Sequence, residues 1–139
     1  MASKNFGYLG FKSLIDGMSS QKQLKSLTLR CGVNRVGING AGIVNKMLEG
    51  MQSLETLNLG FVENYIGDEG LKEISETVAT KLPNLKNVDL DLGFNDAKSY
   101  GGISTLKQFS ARSWQSLDLR LSHNEFRDTD VKLMKPYIK

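Results

Sequence analysis

The residues that could carry catalysis in this chain are few and isolated. His123 is the only histidine, and no serine or cysteine around it has the sequence context of an activated nucleophile. Because a hydrolytic triad needs a base beside its nucleophile, nucleophilic catalysis would depend on this one side chain. Cys31, the only cysteine, falls at an apolar position of a predicted strand and is interpreted as a small buried hydrophobe. The sequence therefore predicts no catalytic residue and argues against an enzyme.

Two further motifs could bind a phosphate or a metal ion. Residues 32–43, GVNRVGINGAGI, are rich in glycine but contain neither GxGxxG nor GxxxxGK[ST], which favours a structural turn. Asp89 and Asp91 lie two residues apart, and at that spacing strand side chains share a face without converging like calcium ligands. We therefore expect no metal, no cofactor, no nucleotide and no small-molecule substrate.

Composition excludes several classes of protein. The chain has 139 residues, of which 40% are hydrophobic, and no apolar run approaches the roughly 20 residues that cross a bilayer. Eighteen Lys and Arg against fifteen Asp and Glu give a net charge of +3, and the lysines are scattered, which argues against nucleic-acid binding. One cysteine rules out an internal disulfide, and residues 1–18 lack a secretory signal. An intracellular, cytoplasmic or cytoskeleton-associated location is expected, and an organelle stays open.

Four segments of the chain repeat one pattern around an asparagine. The asparagines are separated by 30, 31 and 29 residues. Apolar residues stand seven, five and three positions before each of them, a period of two that predicts a strand with one buried face. The asparagines are Asn34, Asn64, Asn95 and Asn124, and the apolar residues are Leu27, Leu29, Cys31, Leu57, Leu59, Phe61, Val88, Leu90, Leu92, Leu117, Leu119 and Leu121.

A helix is predicted after each strand. The clearest case is residues 70–82, where apolar side chains recur at spacings of three and four. Asp68 and Glu69 precede it, where acids complement the dipole of the helix, and Pro83 marks its end. Residues 1–20 are predicted to be the helical half of a truncated repeat. The apolar stripes are Leu71, Ile74, Val78 and Leu82 in the first case, and Tyr8, Phe11, Leu14, Ile15 and Met18 in the second.

The pattern resembles the leucine-rich-repeat family, specifically its ribonuclease-inhibitor-like branch, through residues 54–74, LETLNLGFVENYIGDEGLKEI, and three weaker copies. The resemblance implies an α/β solenoid of about four strand–helix repeats, with a parallel concave sheet, convex helices and a preceding N-terminal helix. It also implies a structural ladder in which the asparagine amides turn inward and satisfy backbone groups. Eight residues before each asparagine the leucine usual in the family is replaced. The strand and the turn that leads into it are therefore expected to be roughly two residues longer than in the commonest form of the repeat. The replacing residues are Ser26, Thr56, Asn87 and Ser116.

One domain, residues 1–139, is predicted. After the N-terminal half repeat, residues 1–20, the repeats span residues 24–53, 54–84, 85–113 and 114–139. Neither end offers a recognisable polar cap, and the first strand has no predicted partner on its outer side. We therefore expect the chain to reside in a larger assembly in which a neighbour covers one end.

The outward positions of the predicted strands form a grid of polar side chains. Asp89 and Asp118 are expected to lie side by side, and Asp91 is expected to pair with Arg120. Because adjacent like charges cost free energy unless they are neutralised, the two aspartates are predicted to recognise a basic segment, with simple solvation as the open alternative. The candidate partner-binding residues are Arg30, Asn58, Asp89, Asp91, Asp118 and Arg120.

These observations predict a non-enzymatic protein–protein interaction module. The preferred hypothesis is a scaffolding or accessory subunit of an intracellular multi-subunit complex. A free-standing adaptor or inhibitor that binds a partner protein on its concave face is the alternative, and an enzyme or nucleotide binder is a more remote one. Other proteins are the expected partners, through the grid or the solenoid ends, and neither nucleic acid nor a membrane span is expected.

Overall fold

The structure, a computed structural model, describes residues 7–126. Helices and strands alternate along this part of the chain. The predicted features that fall on residues 1–6 and 127–139, including the end of the fourth repeat, lie outside the described residues. The elements are α1 Gly7–Met18, β1 Ser26–Arg30, α2 Gly37–Glu49, β2 Thr56–Gly60, α3 Gly67–Thr80, β3 Asn87–Asp91, α4 Ser99–Ser110 and β4 Ser116–Arg120.

The four strands form one parallel sheet in the order β1-β2-β3-β4. Equivalent repeat positions are paired, so that Leu59 lies between Leu29 and Leu90, and Leu90 lies beside Leu119. Parallel neighbours need a crossover connection, and the helix between successive strands supplies it. The predicted four-stranded parallel sheet with alternating helices is confirmed.

The buried face of the sheet follows the predicted alternation in the first three strands. In β2, Leu57 and Leu59 are fully buried while Thr56 and Asn58 are half-buried. Each strand begins eight residues before its asparagine. The apolar residue ten before the asparagine lies in the preceding turn, where Leu54 and Leu85 are buried and Leu24 and Trp114 are partly buried. The apolar pattern therefore extends into the turn without lengthening the strand.

The fourth strand departs from this pattern. Leu117, predicted to point into the core, is 41% exposed, while Leu119 and Leu121 are partly buried against the core. Both β1 and β4 are edge strands, but α1 precedes β1, whereas no helix follows β4 among the described residues. Fewer neighbours are therefore available to cover the leucines of β4.

The helices bury most of the stripes that their sequences predict, although Leu14 and Met18 of α1 are only half-buried. Leu71, Ile74 and Val78 are fully buried in α3. In α1, Phe11 and Ile15 are fully buried, whereas Tyr8 is 38% exposed. Tyr8 lies in the first turn of α1, so the predicted stripe is wrong at its beginning.

The asparagines join successive repeats through their side chains. The Nδ2 of Asn64 donates to the carbonyl oxygens of Cys31 at 2.9 Å and Val62 at 3.3 Å, and its Oδ1 accepts from the backbone N–H of Asn34 at 3.2 Å. The side chain of Asn95 bonds the backbone of the repeat before it in the same way. Because each amide satisfies backbone groups of two repeats, it fixes their stacking.

The glycine six residues after an asparagine packs against the turn that precedes its helix. A Cβ added to Gly70 would lie 2.4 Å from Cβ of Ile66, and one added to Gly40 would lie 2.1 Å from Cγ2 of Val36. Both distances are well inside van der Waals contact. Only glycine therefore lets the first turn of the helix approach the buried apolar residue of the loop.

Gly70→Ala is expected to lower the free energy of unfolding by about 1 to 3 kcal/mol, since the overlap with Ile66 exceeds the intrinsic helix preference of alanine. Gly42→Ala in α2 is the matched control, because no atom lies within 4 Å of the added Cβ. That substitution should raise stability by about 0.5 to 1 kcal/mol. Urea unfolding followed by circular dichroism measures both, and a shift of both midpoints in the same direction would contradict the packing argument.

The helix α4 begins differently from α2 and α3. Gly37 and Gly67 start those two helices at φ values of 62° and 65°, whereas Lys98 holds an extended backbone before α4. Oδ1 of Asp68 accepts hydrogen bonds from the backbone N–H groups of Lys98 at 2.7 Å and Gly101 at 2.9 Å. Asp68, predicted to favour the dipole of its own helix, therefore also caps the next helix.

Candidate functional site

The candidate site is the exposed face of the sheet, called the polar face below. It is formed by the alternate strand residues that the period of two turns away from the core. Its members are mostly small or polar side chains, and the strand register places them in rows. They are Ser26, Thr28, Arg30, Thr56, Asn58, Gly60, Asn87, Asp89, Asp91, Ser116, Asp118 and Arg120.

Arg120 lies among three carboxylates on this face. Its Nη1 donates to Oδ2 of Asp118 at 2.8 Å, its Nε lies 3.4 Å from Oδ2 of Asp91, and its Nη2 forms an ion pair with Asp89. The predicted pair of Asp91 and Arg120 is present, and Asp89 and Asp118 are register neighbours. Arg120 reaches both of these aspartates, so a cation of the chain itself already neutralises part of their charge.

The charge balance of this cluster remains negative, since one guanidinium faces three carboxylates. Partial desolvation opposes the charged form of the guanidinium, but Asp89, Asp118 and Asp91 outweigh it and raise the pKa of Arg120. Arg120 therefore stays charged and holds the carboxylates together. The ion pairs are partly solvated, so each contributes little to stability, and their effect on a partner is mainly one of charge.

The other predicted contact residues lie at different distances from the cluster. Asn58 lines a depression of about 310 Å³ together with Asp89 and Asp118. Arg30 stands on β1, with β2 and its small residue Gly60 between it and β3. The structure thus brings five of the six candidate residues together and leaves Arg30 apart.

The residues with catalytic potential do not converge. The ring of His123 is stacked on Phe94, with centroids 4.1 Å apart and an interplanar angle of 11°. Cys31 is 2% exposed, and burial raises the pKa of its thiol to about 11, which keeps it protonated near neutral pH. Within residues 7–126, no group of three or more His, Cys, Asp or Glu side chains is arranged to hold a metal ion.

Arg112 is a structural anchor that the sequence analysis did not single out. Its guanidinium donates to the carbonyl oxygens of Ala79, Leu82, Pro83 and Leu85, where α3 ends and the chain turns toward β3. It also lies 4.4 Å from the ring centroid of Trp114. Trp114 is partly buried, and its Nε1 donates to the carbonyl oxygen of Phe109 at 2.9 Å. The four carbonyl contacts of Arg112 join residues 27 to 33 apart, so no local sequence motif predicts them.

Comparison of the chain with protein-family models finds no match, and comparison with curated protein sequences finds none. No helix among residues 7–126 is long and apolar enough to span a membrane. The function is therefore inferred from the fold and from the chemistry of the polar face.

Proposed function

We propose that the chain is a leucine-rich-repeat module that binds other proteins without catalysis, as a scaffolding or accessory subunit of a larger assembly. The observation that carries this proposal is the bare polar face. Parallel sheets are usually covered on both faces, so a parallel sheet that buries one face only leaves a surface available to a partner. The alternation in β1, β2 and β3 fits such an arrangement.

The assignment to this repeat class is supported by the bonds between repeats. The backbone N–H groups of Asn34, Asn64 and Asn95 each donate a hydrogen bond to Oδ1 of the next asparagine, 30, 31 and 29 residues further on. Repeated contacts at one spacing favour a right-handed solenoid whose sheet lies on the concave side. A concave sheet of small residues has room for a helix or loop of a partner protein.

The charge of the polar face selects the chemistry of that partner. The cluster around Arg120 keeps a net negative charge at half-exposed carboxylates. Asp118 is the most accessible of them, with 58% of its side chain exposed. A partner segment that brings lysine or arginine to Asp118 and Asp89 would complete the charge balance and associate more weakly at high salt.

The test compares two charge reversals in the tagged chain. Asp89→Lys with Asp118→Lys changes the polar face, and Glu73→Lys with Glu76→Lys is the matched control on α3. The amount of partner recovered by affinity purification, quantified by mass spectrometry, should fall at least about tenfold with the first variant and remain unchanged with the second. Unchanged thermal unfolding is required of both.

Salt dependence supplies a second readout. Once a partner is identified, its association with the wild type should weaken as salt rises, and this slope should flatten in the polar-face variant. If the α3 variant loses the partner while the polar-face variant keeps it, the binding surface has been assigned to the wrong side.

A further inference from the structure

The exposed large hydrophobic side chains are concentrated at one edge of the fold. The loops 31–36, 61–66, 92–98 and 121–126, each following a strand, form this edge, called the loop edge below. Seven of the eight exposed large hydrophobic residues of the described chain lie in these loops or in the first three residues of a helix. A concentration of exposed apolar side chains at one edge is typical of an interaction site. The seven are Tyr8, Leu9, Val33, Ile38, Tyr65, Phe94 and Tyr100.

Three of these residues hold a backbone conformation that does not suit them. Val33, Tyr65 and Phe94 have φ values of 62°, 55° and 54°, in the left-handed region that favours glycine and asparagine. Their side chains are 39%, 44% and 46% exposed, so burial returns little of that conformational cost. The same left-handed backbone recurs at Arg35, Glu63, Asp96 and His123, so it belongs to the loop of each repeat. Exposed bulky side chains kept at such positions suggest a role outside folding.

Backbone hydrogen bonds stack the loops on one another and so align their exposed side chains in a strip, the two rows of residues directly before and after the asparagines. The backbone N–H of Phe94 donates to the carbonyl oxygen of Ser122 at 3.0 Å, and that of Glu63 donates to Gly93 at 3.1 Å. The rings of Phe94 and His123 are parallel and in contact. At the other end of the strip, the guanidinium of Arg35 lies 5.9 Å from the ring of Tyr65.

Charge alternates with the apolar groups along the strip. In every loop, one of the two residues that flank the asparagine is apolar or aromatic and the other is charged. Glu63, Asp96 and Glu125 are acidic, and Arg35 is the one cation among these eight positions. Carboxylates and aromatic faces both attract cations, so this strip complements a basic ligand and disfavours an acidic one.

We propose that the loop edge docks a segment of a partner protein in which arginine or lysine alternates with apolar residues. The cations would lie against Glu63, Asp96 and Glu125, and the apolar side chains against Val33, Tyr65 and Phe94. The inference rests on the proposed protein-binding function, but it assigns a second surface that does not overlap the polar face.

The test titrates the isotope-labelled full chain with a short capped peptide that alternates arginine and leucine, and with the same peptide carrying glutamate in place of arginine. Two-dimensional NMR locates the response. The arginine peptide is expected to give saturable shifts of the amides of residues 63–65, 94–96 and 123–125, while the glutamate peptide gives none. Shifts confined to the polar face, or equal effects of both peptides, would overturn the proposal.

Variants then separate docking from folding. Phe94→Asn introduces a residue that tolerates the left-handed backbone. It is expected to lower the affinity for the arginine peptide about tenfold without lowering the thermal midpoint of unfolding. Glu63→Gln should lower this affinity too, and should flatten its salt dependence. The Asp89→Lys, Asp118→Lys variant should still bind the arginine peptide and show the same loop-edge shifts. Loss of a natural partner by this variant therefore tests the polar face and not the loop edge. A wild-type affinity for the arginine peptide in Phe94→Asn overturns the loop-edge site.

Discussion

Asn64→Ala is expected to lower the free energy of unfolding by about 3 kcal/mol, because it removes the partner of several buried backbone groups at once. The side chain is fully buried and accepts from the N–H of Asn34 while donating to the carbonyl oxygens of Cys31 and Val62. Alanine leaves the N–H of Asn34 without this acceptor, at a position that is closed to solvent in the native fold.

Chemical denaturation of the full chain measures this effect, with Asn58→Ala as the matched control. Asn58 is an asparagine of β2 on the polar face, half-buried and without a side-chain hydrogen bond in the described part of the chain. Its removal should change stability by less than about 0.5 kcal/mol. Equal losses in the two variants would show that burial of the ladder amide is not the source of its contribution.

Arg112→Met is expected to lower the free energy of unfolding by about 2 to 4 kcal/mol. The guanidinium donates to the carbonyl oxygen of Ala79 at 3.2 Å, one of those that the end of α3 leaves without helical partners, and to that of Leu82, beyond the helix, at 2.9 Å. Burial lowers the pKa of Arg112, although the group stays charged near neutral pH. Its position at the C-terminal end of a helix adds a favourable interaction with the helix dipole.

Two further variants decide whether geometry or charge matters at Arg112. Arg112→Lys keeps the charge, but an ammonium cannot span four carbonyl oxygens as the planar guanidinium does, so it should recover less than half of the loss. Arg30→Met removes an exposed arginine on β1 that has no hydrogen bond among the described residues, and its effect should be near zero. Full stability of Arg112→Lys in urea unfolding would contradict the carbonyl-anchor interpretation.

The sequence predicts the strands because two local signals agree. The spacing of the asparagines sets the repeat, and the alternation of apolar residues sets the buried face, which places every strand within one residue of its position in the structure. The cap that Asp68 supplies to α4 was not predictable from spacing, since the two helices meet only after the repeats stack. The contacts of Arg112 with the end of α3 were not predictable for the same reason.

The sequence predicts which residues form the polar face, but only some of the contacts among them. Alternation placed Asp89, Asp91 and Asp118 on one face, and register placed Asp91 beside Arg120. The contact of Arg120 with Asp89 is diagonal across two strands and depends on the length of the arginine side chain, which a row-by-row comparison ignores. The left-handed backbone of Phe94 likewise appears only once the loop is built.

The neighbour-only contacts of the sheet have a consequence for cooperativity. Among residues 7–126, each strand pairs only with a strand that is next in sequence, and each helix contacts no other helix than its sequence neighbours. The first and last strands therefore share no contact, and one end can open while the other stays folded. A partner lying across the polar face would touch all four strands, so opening any one of them would also forfeit binding free energy. Occupancy of that face would then turn a chain of separable units into one that unfolds in a single step.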